Sequence, residues 1–267
     1  LADPDIDKQS RERLTWDTES LVELVGMRLN YLLDQKGAPR EGWLSVFPST
    51  VQGVESADYM VGMTLRRPRE LIKFCSAAIE RAQARRSKQV SEKDVLDAER
   101  TYSEDLLTDL NGEYQIEMPD LYTFVSEFAG QTWPIPMEEM RTLIGGAIRN
   151  EAIAGRHHEW HEHTNVPVDA ILKGLYDAGI FGLSARGRDV FSFDRSFQAA
   201  KALLSRTERV LYKKKSVRTV MVEPDVILHP GLRPALGVNG VRKRYKRPPS
   251  RNGRKKAVRA KVRRTSR

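Results

Sequence analysis

Between residues 17 and 33 the apolar side chains Leu21, Leu24, Val25, Leu29, Leu32 and Leu33 recur every three or four positions. That spacing lays them along one stripe of an α-helix, with Asp17 or Thr18 available to cap its first turn. Gly37-Ala38-Pro39 and Gly42 break the pattern, so Trp43, Leu44, Val46 and Phe47 read as a loop anchored by buried aromatics. A shorter helix is expected over 55–63. The strongest signal follows it: Leu71, Ile72, Phe74, Cys75, Ala78, Ile79 and Ala82 form one apolar face over about four turns. Pro68 sits in the first turn of that central helix, where its missing N–H and fixed φ suit a helix start. Ser91, with the acid Asp94 three residues on, resembles a capping box for a helix through Val95, Leu96, Ala98 and Tyr102. Leu106, Leu107 and Leu110 continue or resume it, and Asn111-Gly112 is expected to end it.

Beyond residue 118 the units shorten. Helices are expected over 121–128 and 137–148, the second entered through Trp133-Pro134-Ile135-Pro136, and over 168–179 with Gly179 as its stop. Ile180-Phe181-Gly182-Leu183, a turn at Gly187, and Val190-Phe191-Ser192-Phe193 then carry a β-hairpin signal. Three short helices followed by strand, turn and strand is the order of a winged-helix domain, with the third helix as the recognition candidate and the hairpin as the wing. A further short helix over 197–204 and strand-like runs over 219–222 and 226–228 follow. Past residue 241 no apolar periodicity remains, and a basic, disordered tail is expected.

Charge changes this picture in one respect. The chain has 267 residues and a formal net charge of +9. Residues 242–267 hold 14 Lys or Arg and no acid, so without them +9 becomes −5 and the body is mildly acidic. Net-charge arguments therefore concern the tail. There Arg242, Lys243, Arg244, Lys246, Arg247, Arg254, Lys255 and Lys256 are candidates for salt-sensitive, sequence-indifferent binding of nucleic acid, a solubilising extension being the other reading. In the body the nucleic-acid candidates are Lys173 on the third helix, Arg186 and Arg188 on the wing, and Lys213, Lys214, Lys215 and Arg218 nearby. Asp169 and Asp177 oppose a phosphate-facing role for the third helix. No membrane span or secretory leader is present in the sequence, and a cytoplasmic location without membrane contact is expected. The acidic opening at Leu1 suggests a fragment or processed chain.

Other chemistry is thinly represented. Cys75 lies on the apolar face of the central helix and reads as a small buried hydrophobe, and a single cysteine excludes an internal disulfide. Four of the five histidines lie between His157 and His163, but no His-Glu-x-x-His motif is formed, so the cluster reads as a polar loop and no metal site is assigned. His229 beside Pro230 reads as structural. The arginines that open the central helix, Arg66, Arg67 and Arg69, are different. A guanidinium there is permanently charged and forked, and can reach a γ-phosphate held by another segment. In AAA+ ATPases the second sensor has this form, a breaker followed by Arg at the start of the third lid helix. Pro68-Arg69-Glu70-Leu71 is similar, with Arg69 the first choice for nucleotide sensing and Arg67 and Arg66 behind it. The alternative is a solvated basic helix start paired with acids such as Glu70 or Asp58.

The wider pattern resembles the C-terminal half of a poorly characterised family of bacterial P-loop ATPases of AAA+ or STAND type. It is carried by the opening from Asp3 to Trp16-Asp17, by Thr64-Leu65-Arg66-Arg67-Pro68-Arg69-Glu70-Leu71-Ile72, and by Ala98-Glu99-Arg100-Thr101-Tyr102-Ser103. Leu175-Tyr176-Asp177-Ala178-Gly179-Ile180-Phe181-Gly182 and Leu228-His229-Pro230-Gly231-Leu232-Arg233-Pro234-Ala235-Leu236-Gly237 look like its winged-helix segment. The resemblance implies a mainly α fold: a helical AAA+-type lid over 1–115, a winged-helix domain with a small β-hairpin over 116–240, and the tail over 241–267. For some relatives it implies a neighbourhood among phage-defence genes. No Gly-x-x-x-x-Gly-Lys-Ser/Thr occurs in the chain, so ATP and Mg2+ would be held only by a P-loop ATPase core outside it, and the chain alone is not expected to hydrolyse ATP. The expected partners are that core and, through the tail, nucleic acid, with homo-oligomerisation left open. The competing expectation is a standalone winged-helix DNA-binding or adaptor protein with no nucleotide dependence.

Overall fold

The computed structural model describes residues 16–116, 118, 121–149, 168–212 and 216–238. Asp17 accepts the Ser20 N–H at 2.8 Å and opens helix α1 (Thr18–Leu32), which buries Leu21, Val22, Val25 and Leu29 along one face. The expected loop after it is instead helix α2 (Pro39–Val46). Pro39 takes the first turn, and the Glu41 carboxylate accepts the Ala38 N–H at 3.1 Å. Gly42 does not break this helix because it is a packing residue: a Cβ there would lie 2.5 Å from the Gly26 carbonyl oxygen of α1. Trp43 and Phe47 are buried as expected, with the indole N–H donating to Ser56 Oγ at 2.9 Å, whereas Leu44 is exposed.

A two-residue turn at Gln52-Gly53, both at positive φ, joins the short strands β1 (Thr50–Val51) and β2 (Val54–Glu55). Helix α3 (Ser56–Gly62) follows, and then the two long helices α4 (Pro68–Ala84) and α5 (Glu92–Glu113) pack on each other. Phe74 of α4 stacks on Tyr102 of α5 at 4.6 Å between ring centroids. The predicted capping box is formed: the Ser91 N–H donates to Asp94 Oδ2 at 2.7 Å while Ser91 Oγ accepts the Asp94 N–H. Asp94 is buried, and Arg85 Nε donates to it at 2.7 Å. That guanidinium holds the Asp94 carboxyl far below the usual carboxylate range. Helix α5 ends at Glu113, one residue past the expected stop at Asn111-Gly112.

The second half contains α6 (Leu121–Ser126), α7 (Met137–Ile148), α8 (Val168–Asp177), β3 (Phe181–Ala185), β4 (Arg188–Val190), α9 (Phe197–Leu204), β5 (Arg206–Tyr212), β6 (Ser216–Val222) and β7 (Asp225–Leu228). Gly179, at φ +79°, ends the turn after α8 as the sequence predicts. The hairpin β3–β4 turns at Arg186-Gly187, but β4 ends at Val190 and excludes the expected Phe191-Ser192-Phe193. The cause is local: Asp194 takes both backbone groups of Phe191, donating N–H to its carbonyl at 3.0 Å and accepting its N–H at 3.3 Å. Strand β3 pairs on its other edge with β7, from Phe181↔Leu228 to Ser184↔Asp225, and Ile135 bridges to Val226. Between these central strands the chain leaves the sheet and forms a separate two-stranded ribbon, β5–β6, paired from Arg206↔Val222 to Tyr212↔Ser216. Strand β5 was not legible in the sequence.

Phe128, Trp133 and Phe181 form the aromatic centre of this half, with centroids 5.4 and 5.5 Å apart. The border expected at 115/116 falls between α5 and α6, and the chain recrosses it near its end. After β7, the 3-10 turn Pro230–Leu232 packs on α5, and the Ala235 N–H donates to Ser103 Oγ of α5 at 3.0 Å. One apolar core runs from Leu21 to Val238. Among the described residues no helix is long and apolar enough to cross a membrane. The histidine cluster 157–163, Lys213, Lys214 and Lys215, and the tail candidates lie outside the described residues, as does the opening before Trp16.

Two glycines with opposite surroundings test this packing. A Cβ on Gly231 would stand 2.0 Å from the Met63 carbonyl oxygen, whereas nothing lies within 4 Å of one on Gly112 near the end of α5. Gly231→Ala is expected to destabilise the protein by about 2 kcal/mol or more. Gly112→Ala is expected to stabilise it by about 0.5–1 kcal/mol, since it removes the glycine penalty inside a helix. Urea midpoints of the two variants measure both, and an unchanged midpoint for Gly231→Ala would mean that the close approach does not exist.

Candidate functional site

The turn 63–67 that feeds α4 is built around a buried acid. Glu70, in the first turn of α4, reaches back so that its Oε2 accepts the Leu65 N–H at 2.8 Å, while Thr64 Oγ1 donates to the Val61 carbonyl at 2.8 Å. Glu70 is only 6% exposed. Burial pushes its carboxyl up to about 7, against the opposing pull of the Leu65 N–H and Arg67. Beneath it Tyr102 is buried, its hydroxyl has no hydrogen-bond partner among the described residues, and burial raises its phenol, with the Glu70 charge adding to the shift.

The three sensor candidates leave this turn in three directions. Arg66 has φ +53°, a left-handed conformation uncommon for a side-chain-bearing residue. It projects towards the second half, where its guanidinium lies 4.6 Å over the Phe193 ring and donates to Asp194 Oδ1 at 3.0 Å. Arg67, the N-cap position of α4, donates to Glu113 at the end of α5 at 2.6 Å and stands 3.7 Å from Glu70. Arg69 points outward: its side chain is 77% exposed, and its nearest acid is Asp109 at 3.8 Å. Asp109 is already bonded by Lys73. The structure thus does not bring the three arginines together. Arg69 is the most exposed of the three.

The nucleic-acid candidates of the body are likewise separated. Lys173 is spent on Asp177 one turn later on α8. Arg186 and Arg188 flank the β3–β4 turn, both exposed and without an ion pair among the described residues. Arg218 lies in β6, its backbone opposite Val210. Sequence reading passed over Arg195, which lies beside Arg66 and Arg188 in one recess; only its place just after Asp194 could have drawn attention to it. Among the described residues no group of three or more His, Cys, Asp or Glu is placed to hold a metal. Cys75 is buried, and burial raises its thiol.

His229 is a structural residue. It is buried, stands edge-on to Phe191 at 4.9 Å, and its Nδ1 accepts the Gly231 N–H at 3.1 Å. Burial, with Arg233 and Arg66 adding to it, lowers its pKa to about 3, so the ring is neutral.

Residues 19–111 match the model of a family described as the FunZ-associated C-terminal helical domain. The matched segment begins in the first turn of α1 and ends two residues before the end of α5, so it takes in the 63–67 turn, Arg69 and Glu70. Comparison with curated proteins and with solved structures gives no match.

The buried acid sets a pH dependence. An unfolded glutamate titrates near 4.5 and the folded one near 7, so between these values the folded state binds the extra proton and stability falls as pH rises. Glu70→Gln removes this contribution while keeping an acceptor for the Leu65 N–H. Relative to the unaltered protein, the variant should gain stability from pH 4.5 to 7 by up to about 1.4 kcal/mol per pH unit. Urea unfolding at several pH values measures it, and identical pH profiles would refute a protonated Glu70.

Proposed function

We propose that this chain is a regulatory C-terminal part of a P-loop ATPase, in which Arg69 senses a nucleotide held by a core outside the chain. The observation that carries the reading is the position of Arg69: a permanently charged fork at the first turn of a well-anchored helix, pointing to solvent while its neighbours are committed to internal acids. The match of residues 19–111 to a C-terminal helical domain supports it, since such a domain belongs to a larger protein. ATP and Mg2+ enter only through the core, because the chain has no phosphate-binding loop of its own. The mechanism is a population shift: the helical domain prefers one arrangement when Arg69 meets the terminal phosphate, and passes that preference on through its packed helices.

In this reading the second half is a winged-helix domain. Helices α6, α7 and α8 precede strands β3 and β7, and the short segment at Ile135 bridges to β7, an order that favours it. The wing then corresponds to the excursion between β3 and β7, whose projecting element is the β5–β6 ribbon as well as the Gly187 turn. With Lys173 neutralised by Asp177, nucleic-acid contact runs through the wing side and the basic tail, and α8 contributes little.

Within the full-length ATPase, Arg69→Ala is expected to lower turnover or nucleotide-dependent switching by about tenfold or more with the fold intact. Steady-state hydrolysis and urea unfolding of the same variant separate the two effects, and unchanged turnover and switching would remove the sensor. Deleting 242–267 should weaken duplex DNA binding and flatten its salt dependence, by about 0.9 in log–log slope for each phosphate that is no longer neutralised. Equal affinity and slope with and without the tail would count against nucleic-acid binding there.

A further inference from the structure

Where the two halves meet, a recess of about 360 Å³ is lined by Arg66, Arg188, Asp189, Val190, Asp194 and Arg195. Five of the six side chains are charged, which excludes an apolar ligand, and three of those are guanidiniums. Asp194 is fully used: one oxygen accepts from Arg66 and the other from the Phe191 N–H. Asp189 also lines the recess and has no ion pair among the described residues, so three guanidiniums stand against two carboxylates there. Arg188 and Arg195 have neither an ion pair nor a side-chain hydrogen bond among the described residues. Two arginines without an ion pair therefore line the recess, beside a third that uses one of its five donors on Asp194.

The frame around them is fixed. Arg66 is held by its N–H to Thr64 Oγ1 at 3.3 Å and by the Phe193 ring beneath its guanidinium. Arg188 stands on β4, and the Arg195 carbonyl accepts the Tyr176 hydroxyl at 2.9 Å. Like-charged guanidiniums gathered without enough carboxylates repel one another. A doubly charged tetrahedral oxyanion relieves that repulsion and matches the parallel N–H pairs of an arginine fork.

We propose that Arg66, Arg188 and Arg195 form a binding site for a phosphoryl group, closed from both halves of the molecule. The site is separate from Arg69 and does not rest on the sensing role proposed for that residue. Because one arginine comes from the turn before α4 and two from the far side of the junction, an occupied site fastens the halves together.

The test uses the full chain with inorganic pyrophosphate as probe, at constant ionic strength set with sodium chloride. Thermal unfolding should shift upward and saturate, by roughly 5 °C at a hundredfold excess over Kd. The double variant Arg188→Gln, Arg195→Gln should unfold at nearly the same temperature as the unaltered protein without pyrophosphate, since neither side chain has an internal ion pair. It should lose the shift, with an affinity weaker by about tenfold or more. A shift of equal size in both proteins, which is what binding by the basic tail would give, overturns the proposal, as does no shift in either. On the same variant, weakened ATP binding would assign the phosphoryl group to a nucleotide, and weakened duplex DNA binding would assign it to a nucleic-acid backbone.

Discussion

The molecule depends on how tightly the turn at 63–67 is gripped from both sides. From within the first half, the buried Glu70 carboxylate fixes Leu65, and Thr64 closes on Val61. From the second half, Gly231 comes so near the Met63 carbonyl that only hydrogen fits, and a Cβ on Gly179 would lie 3.1 Å from Leu65. The left-handed Arg66 then reaches Asp194 and Phe193. Interiors packed at crystal-like density transmit such constraints with little slack. A change in the position of α4 therefore cannot be absorbed locally: it must move the β3–β7 sheet, or open the junction.

This grip also assigns different tasks to three arginines that are adjacent in sequence. A helix start with several cations is ordinarily a loose, hydrated feature, and exposed ion pairs there contribute little. Arg67 meets Glu113 at the end of α5 and Arg66 meets Asp194 of the opposite half in part-exposed pairs, which orient the side chains more than they add stability. The Pro68 ring and the extended backbone of Arg67 turn the chain between them, so that Arg69 emerges on a face that neither neighbour shares. His229 adds to the same lock, since a neutral ring is needed to accept the Gly231 N–H. Acidification that protonates it would remove the acceptor and place a cation beside Arg66 and Arg233.

The helices were legible wherever a single apolar stripe or a local cap decided them. Asp17, Pro68, Ser91 and Gly179 mark ends that the structure repeats. Sequence reading failed where tertiary packing reversed a local signal. Gly42 reads as a breaker but allows α1 and α2 to touch. Strand β5 opens with Arg206, Thr207, Glu208 and Arg209, which carry no apolar alternation to mark it. The arginines were visible as a group. Their separation was not, because it depends on partners at 113 and 194, and nothing in a linear pattern links those positions to residue 66 or 67.

The uneven commitment of charge follows from this geometry. Near the junction Glu113 pairs with Arg67, Asp109 with Lys73 and Asp194 with Arg66, while Asp189 has no ion pair among the described residues. Arg69 keeps only a long 3.8 Å approach to Asp109, and Arg188 and Arg195, like Arg186, have no ion pair among the described residues. Unpaired guanidiniums on a body that is acidic without its tail are not a by-product of excess basic residues, since acids outnumber cations there by five. Attraction to acids more than about 8 Å away is screened in physiological salt, so distant carboxylates do not neutralise either group. The two face different surroundings, Arg69 towards whatever packs on the outer side of α4 and the Arg188–Arg195 pair towards the cleft between the halves. The phosphoryl site proposed at the cleft and the sensing role proposed for Arg69 therefore call for separate ligands, and an occupied cleft would tie the turn before α4 to the β3–β4 hairpin.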